Sequence, residues 1–139
     1  MRVWIDTEFN EYKGDLISIA LVSEDNHAFY EVVPCDAPKS WVAVNVMPRL
    51  FQDPIPFDTM QSRLEAWLLQ FDRVHIVADW PEDIEHFCAA LITGPGERLN
   101  TPPLTMEVRR DLNAVSRIPH NALADAEANR AAHLAMEST

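Results

Sequence analysis

Cysteine is scarce in this sequence: only Cys35 and Cys88 occur among 139 residues, and they do not stand at the spacing of metal ligands. They indicate neither a zinc site nor a catalytic thiol, and we expect both to be reduced, buried, small apolar side chains. Long hydrophobic runs are lacking too, because no segment approaches the roughly 20 apolar residues that a membrane span requires. The first residues become charged too early for a signal peptide, which predicts a cytoplasmic protein with no membrane partner.

Positive charge is also in short supply, since 11 Lys and Arg residues stand against 22 Asp and Glu residues and leave a net charge of −11. The field of such a protein repels a polyanion, so composition alone argues against binding to nucleic acid. That argument weakens where several carboxylates hold cations, because bound metal ions reverse the local potential. An acidic chain is therefore compatible with a metal-bridged phosphate.

The hydrophobic pattern predicts a single domain, residues 1–139, that contains both strands and helices. Residues 2–6, 16–22 and 27–33 are β-prone runs close together in sequence, which favours an antiparallel meander. Residues 73–78 predict a fourth strand, which begins an alternation of strand and helix.

Helices are predicted at four places. Between the third and the fourth lie a predicted loop and a segment of ambiguous structure. The helices are a short one near residues 41–50 in a proline-containing arm, one begun by Asp58 as N-cap and running to Phe71, one from Pro81 to Leu91, and an alanine-rich one from Asn121 to Met136. In the last helix the small side chains of Ala122, Ala126 and Ala132 allow close approach to a sheet. Residues 94–103 read as a loop, and residues 104–113 fit strand and helix equally.

The first acidic motif is Asp6-Thr7-Glu8, at the end of the first predicted strand. Residues i and i+2 of a strand point to the same face, so both carboxylates lie on one side, and two adjacent anions favour a cation. An Asp-x-Glu triplet is weak evidence, because others begin at Asp83 and Asp125. Only the first ends a predicted central strand, where an unneutralised pair of carboxylates is costly.

Two further groups of residues could join that pair. Asp79 ends the fourth strand and is well placed as an N-cap, while Asp83 falls in the first turn of the helix that follows. His120 stands just before the last helix and Asp125 lies within it, so both can face one cleft. A neutral imidazole beside metal-bound water is suited to act as a general base, and an aspartate on a rigid helix is a good metal ligand.

Taken in order, Asp6-x-Glu8, the acid at the start of the helix after strand four, and His120-x-Ala122-x-x-Asp125 resemble the histidine-containing branch of the DEDD, or DnaQ-like, exonuclease superfamily. Within it the Asp-Thr-Glu-Phe opening, the Leu-Ile-Ser-Ile-Ala-Leu-Val strand and the segment from Trp41 to Pro48 are most similar to small bacterial exoribonucleases of the RNase AS type. The resemblance implies an RNase H-like α/β fold, with a central mixed sheet in which the antiparallel meander is followed by parallel strands.

The resemblance also implies a site and a reaction. Catalysis would use Asp6, Glu8, Asp83, His120 and Asp125, with the four acids binding two Mg²⁺ or Mn²⁺ ions and His120 acting as general base. Phe9 and Asp79 would contact the substrate, the 3′ end of single-stranded RNA or DNA. Asp79 stands where the family has asparagine, and Glu82 where it has an aromatic residue. We therefore favour Asp83 over Asp79 as the ligand of the second ion, while leaving that choice open.

Several alternatives remain at this stage. The domain could be a binding scaffold that has lost turnover, although the presence of all five catalytic residue types argues against decay. It could instead be a phosphohydrolase acting on small nucleotides. Related small nucleases are often homodimers, and exposed Trp41 and Trp80 could line such an interface. Among the few basic residues, Arg109, Arg110 and Arg117 lie just before the histidine and are the best group for contacting a nucleic-acid backbone.

Overall fold

A five-stranded mixed sheet with helices on both faces forms the centre of the computed structural model, which describes residues 1–139. The elements are, in order, β1 (Arg2–Phe9), β2 (Leu16–Ser23), β3 (Ala28–Val32), α1 (Ser40–Asn45), α2 (Phe57–Leu68), β4 (Val74–Ala78), α3 (Pro81–Leu91), β5 (Ile92–Gly94), β6 (Glu97–Arg98), β7 (Leu104–Val108) and α4 (Ala122–Glu137). Strands β5 and β6 form a separate hairpin. The chain is therefore α/β, as predicted.

The strand order in the main sheet is β3-β2-β1-β4-β7. Strands β1, β2 and β3 pair antiparallel, as short turns between them require, and the predicted meander is confirmed. Strand β4 pairs parallel to β1, and β7 pairs parallel to β4, with helices in the connections. Strands β1 and β4 therefore lie side by side at the centre and end at the same edge of the sheet.

The two faces of β1 are covered by different helices. Val3 and Ile5 belong to the main core, into which α2 contributes Met60, Leu64 and Leu68 and α3 contributes Phe87. On the other face, Trp4 packs with Val77 and Leu112, and Ala132 and Leu134 of α4 pack against this cluster. Alanine side chains of α4, at positions 122 and 126, are fully buried against Ala20 and Val22 of β2, so the predicted close approach is confirmed.

Some local predictions were wrong. Helix α2 begins at Phe57 and not after Asp58, because the carbonyl of Pro56 already accepts a hydrogen bond from the amide of Met60. Likewise Trp80, and not Asp79, is the residue before α3, and it makes no side-chain cap. Strand β1 continues through the acidic pair to Phe9, since β2 pairs with it over that length.

The ambiguous and loop segments also contain strands. Residues Leu104–Val108 form β7, the parallel edge strand. The predicted loop, residues 94–103, contains β6 and the last residue of β5, and these two strands form a hairpin. Cys35 and Cys88 are free thiols, as expected, but each is only partly buried. No helix combines the length and the apolar composition needed to cross a bilayer.

Candidate metal centre

The acidic residues gather where the parallel strands β1 and β4 end. Asp6 and Glu8 lie on β1, Asp79 directly follows β4, and Asp83 lies in the first turn of α3. Asp125 lies in the first turn of α4, on the face of the sheet that Trp4 also meets. Four separate segments thus deliver carboxylates to one edge of the sheet, although they are spread over 120 positions of the sequence.

These carboxylates form two overlapping triplets that could each hold a metal ion. The oxygens of Asp6, Glu8 and Asp125 all lie within 4.8 Å of one another. The oxygens of Asp6, Asp79 and Asp83 meet the same limit, and Asp6 belongs to both triplets. The structure therefore brings together all four predicted metal ligands. It also adds Asp79, so that both candidates for the second ion lie beside Asp6.

Thr7 holds the most deeply buried of these acids in place. Strand alternation turns its side chain away from those of Asp6 and Glu8, toward α3. The Thr7 hydroxyl donates to Oδ1 of Asp83 at 2.6 Å, and the Thr7 amide lies 3.3 Å from the same oxygen. Asp83 is only 2% exposed, and its second oxygen has no hydrogen-bond partner. One oxygen is thus fixed by β1, and the other is left for a ligand.

His120 lies on the opposite side of the cluster, at the start of α4. Its backbone adopts the left-handed region with φ of 69°, and Trp41 of α1 meets its ring edge to face at 5.0 Å. Asn121 caps the helix by accepting from the amide of Ala124, and its side-chain amide donates to the carbonyl of Arg49. The arm around α1 therefore fixes both the imidazole and the beginning of the helix.

A pocket of about 400 Å³ opens between these elements. Its lining includes Asp6, Asp79, His120 and Asp125, together with Ser116 and Asn129. The predicted general base and three of the acids therefore face one cavity. A second pocket of about 430 Å³ lies between α2, α3 and the β1-β2 turn, but none of the clustered carboxylates lines it. The chemistry of its lining, and not its volume, makes the first pocket the candidate site.

Burial of so many carboxylates changes their protonation. Burial raises the pKa of Asp6 well above its usual range, and the nearby charges of Asp83 and Glu8 raise it further. Burial, with Asp125 and Asp83 adding to it, raises the pKa of Glu8 to about 8. The pKa of Asp83 is also raised by burial, against the opposing effect of the hydrogen bond from Thr7. The anionic cluster is unfavourable without a positive partner.

The pKa of Asp125 is raised as well, again through burial, although hydrogen bonds from the Ser116 hydroxyl and the His120 backbone oppose the rise. Oδ2 of Asp6 and Oδ2 of Asp83 are both inaccessible and have no hydrogen-bond partner. Buried polar atoms without partners are rare in folded proteins, and a bound ion or water is one of the ways in which such atoms are satisfied. An all-oxygen set with unpartnered carboxylate oxygens fits hard divalent cations such as Mg²⁺ or Mn²⁺.

The residues predicted to contact the substrate lie in different surroundings, and not all of them are at the acidic pocket. Phe9 stacks on His86 of α3, with ring centroids 4.8 Å apart and planes at 28°, and it does not line the acidic pocket. Its role in substrate binding stays a prediction. Arg109 pairs with Asp111, and Arg117 pairs with Glu127, whereas Arg110 donates to the backbone carbonyl of Asp79.

Sequence reasoning missed three contributors to the site. Thr7 could have been found, because alternation within the Asp-Thr-Glu triplet already directs its hydroxyl to the other face. Ser116 and Trp41 carried no such signal, since they come from a loop and from a short helix that only the tertiary fold brings to Asp125 and His120.

Neither a scan of protein-family models nor a search of curated proteins found a match for this chain. What indicates a function for this protein is therefore the chemistry and geometry of its clustered carboxylates and His120.

Proposed function

We propose that this protein is a metal-dependent 3′-to-5′ exonuclease with an RNase H-like fold, acting on the end of a single strand. The observation that carries the proposal is the position of Asp6, which belongs to two carboxylate triplets at once. Two adjacent oxygen-only sites sharing one carboxylate suit two-metal hydrolysis of a phosphodiester. His120, which lines the same pocket, supplies a base.

The sheet supports the proposed fold. An antiparallel meander leads into parallel strands, with β1 between β2 and β4, as the resemblance to DEDD exonucleases implies. Asp6, Glu8 and Asp79 lie toward the carboxyl ends of the central strands, and Asp83 and Asp125 lie in the first turns of α3 and α4. A scaffold that had lost turnover would have no need to keep Asp6 and Asp83 buried with unpartnered oxygens, and this favours an enzyme.

In this proposal Asp6, Glu8 and Asp125 hold one Mg²⁺ or Mn²⁺ ion, and Asp6 holds a second with Asp83 and Asp79. When bound, the ions would supply an activated water and stabilise the departing 3′ oxygen. His120 accepts the proton of the attacking water, and the Trp41 ring packs nearly perpendicular to the imidazole, which lines the pocket. Thr7 keeps one oxygen of Asp83 occupied, and the other has no hydrogen-bond partner in the protein.

The finer parts of the proposal concern substrate and setting. RNA is the proposed substrate, through the similarity to exoribonucleases of the RNase AS type, and the two free cysteines agree with a cytoplasmic location. Trp41 and Trp80, which are 50% and 45% exposed, are available to a partner copy if the protein is a homodimer.

The test is digestion of matched 5′-labelled RNA and DNA oligomers with Mg²⁺, with Mn²⁺ or with a chelator. We expect a ladder that shortens from the 3′ end by one nucleotide at a time, and no cleavage with chelator. Cleavage that persists in chelator would overturn the metal mechanism. Hydrolysis of a small nucleotide phosphoester with no shortening of either oligomer would instead identify a small-molecule phosphohydrolase.

A further inference from the structure

Trp80 and Arg110 form a stacked pair at the rim of the acidic cluster. The guanidinium carbon of Arg110 lies 4.8 Å from the centre of the Trp80 ring, and Trp80 is 45% exposed. One Arg110 nitrogen donates to the carbonyl of Asp79, the residue that contributes to the second carboxylate triplet. The amide of Arg109 donates to the carbonyl of Ala78, so the end of β7 is held against the end of β4.

The charge of Arg110 has no carboxylate partner in this protein. Arg109 and Arg117 each form a salt bridge, with Asp111 and Glu127, but no Asp or Glu oxygen lies within 4.0 Å of the Arg110 guanidinium. Stacking occupies one face of that group and leaves most of the N–H donors on its edge free. In a chain with a net charge of −11, this exposed arginine without a carboxylate partner, bonded to the backbone of Asp79, is available to an anion from outside.

The direction of the proposed reaction decides which part of a strand meets this pair. In an in-line displacement the attacking and departing oxygens stand on opposite sides of the phosphorus atom. His120 and Asp125 serve the attacking water, so the departing oxygen faces Asp79 and Asp83. In a 3′-to-5′ exonuclease that oxygen belongs to the strand that remains, and the remaining strand therefore leaves the site over Trp80 and Arg110.

We infer that Trp80 and Arg110 are a binding platform for the strand upstream of the scissile bond, with Arg110 binding the next phosphate and Trp80 stacking a base. This inference rests on the proposed function and adds a substrate preference to it: single strands with at least two phosphodiesters bind better than a dinucleotide. Stacking of a base on a tryptophan beside an arginine suits single strands of any sequence, because every base has an aromatic face.

The decisive comparison uses a dinucleotide, which has only the scissile phosphate, and an octanucleotide of the same base. For Arg110→Gln we expect KM for the octanucleotide to rise about tenfold, while KM for the dinucleotide and kcat for both stay within about twofold. Trp80→Leu should raise KM for the octanucleotide by a similar factor. Arg98→Gln, which removes an equal charge on β6 far from the site, is the matched control and should change nothing.

A binding measurement gives a second readout that does not depend on turnover. Anisotropy of a fluorescent octanucleotide is followed against salt with Mg²⁺, in a His120→Ala background that slows cleavage about a hundredfold or more, so that binding is read before the strand shortens. Losing one phosphate contact should reduce the slope of log K against log salt by about 0.7 for a single strand. A purely structural role for Arg110, through its bond to Asp79, would affect both substrates equally and leave the slope unchanged.

The outcomes separate the platform from the proposed function. If both substrates are hydrolysed and Arg110→Gln changes KM equally for each, or for neither, the platform is overturned. The proposed exonuclease activity would not be affected by that result. If the wild-type protein hydrolyses neither substrate, the proposed exonuclease activity is wrong. If Arg110→Gln then also leaves the salt slope of octanucleotide binding unchanged, the platform is overturned as well.

Discussion

Strand β1 presents two polar regions to the same side of the sheet. The protein supplies hydrogen-bond partners for the polar groups of the first region and leaves an oxygen of the second without one. Near the start of the strand the indole N–H of Trp4 donates to Nδ1 of His133 at 3.0 Å, and the two rings meet edge to face. Arg109 lies 3.0 Å from the other ring nitrogen. Further along, Asp6 and Glu8 meet another carboxylate, that of Asp125, and Oδ2 of Asp6 has no hydrogen-bond partner in the protein.

The contrast shows which buried polar groups serve the fold and which serve a ligand. A buried polar group destabilises a protein unless something satisfies it, and at Trp4 and His133 the protein supplies the partner. At Asp6 the protein supplies only more negative charge. Such an arrangement lowers the stability of the metal-free protein, and that is expected of a site shaped for a bound cation.

The largest expected effect comes from Asp6→Asn, which removes the carboxylate shared by both triplets. Losing a ligand common to both proposed metal sites should lower kcat about a thousandfold or more. The measurement is turnover of the 5′-labelled oligomer at saturating Mg²⁺. Asp58→Asn in the exposed first turn of α2 is the matched control and should keep wild-type turnover. Substantial activity in Asp6→Asn would mean that the cluster is not the catalytic site.

His120→Ala should act differently, because in the proposed mechanism the imidazole moves a proton and holds no metal. We expect kcat to fall about a hundredfold or more, while Mg²⁺ or Mn²⁺ affinity measured by calorimetry changes little. His27→Ala, an exposed histidine beside β3, provides the control. A loss of metal affinity in His120→Ala equal to that in Asp6→Asn would make the histidine a ligand and remove its role as base.

The comparison also shows how far sequence reasoning could reach. Strand alternation alone predicts that Asp6 and Glu8 lie on one face. The position of His120 and Asp125 at the start of an alanine-rich helix predicts that these two residues face one cleft. The choice between Asp79 and Asp83 could not be made, because spacing does not tell how the chain turns between β4 and α3. In the structure that turn brings both acids to Asp6. The position of the end of β7 beside β4, and the hydrogen bond from Arg110 to the carbonyl of Asp79, depend on tertiary contacts that no local pattern indicates.

The stability of the metal-free protein should depend on pH through the same cluster. The folded pKa values of Asp6, Glu8 and Asp83 are raised, that of Glu8 to about 8, above their unfolded values near 4. Between those values the folded state keeps protons that the unfolded state has released. The free energy of unfolding therefore falls as pH rises from about 4 to about 8, by at most about 1.4 kcal/mol per pH unit for each carboxyl.

Denaturant unfolding at several pH values, with chelator and with saturating Mg²⁺, measures this dependence. Glu8→Gln should flatten the fall in the metal-free protein, and Mg²⁺ should stabilise the wild type more at pH 8 than at pH 5, because metal binding displaces protons. A metal-free protein whose unfolding free energy rises between pH 5 and 8 would contradict the raised pKa values and the electrostatic account of the cluster.

The smallest effect belongs to the region that the protein satisfies by itself. Trp4→Phe removes the indole N–H and part of a fully buried ring, so the free energy of unfolding should fall by about 2 kcal/mol. The loss should be the same with chelator and with Mg²⁺, because Trp4 and His133 bind no metal. A double-mutant cycle with His133→Leu isolates the pair, and we expect a coupling of about 1 kcal/mol. Simple additivity would mean that the bond from Trp4 to His133 contributes nothing, and the two regions of β1 would then differ in charge alone.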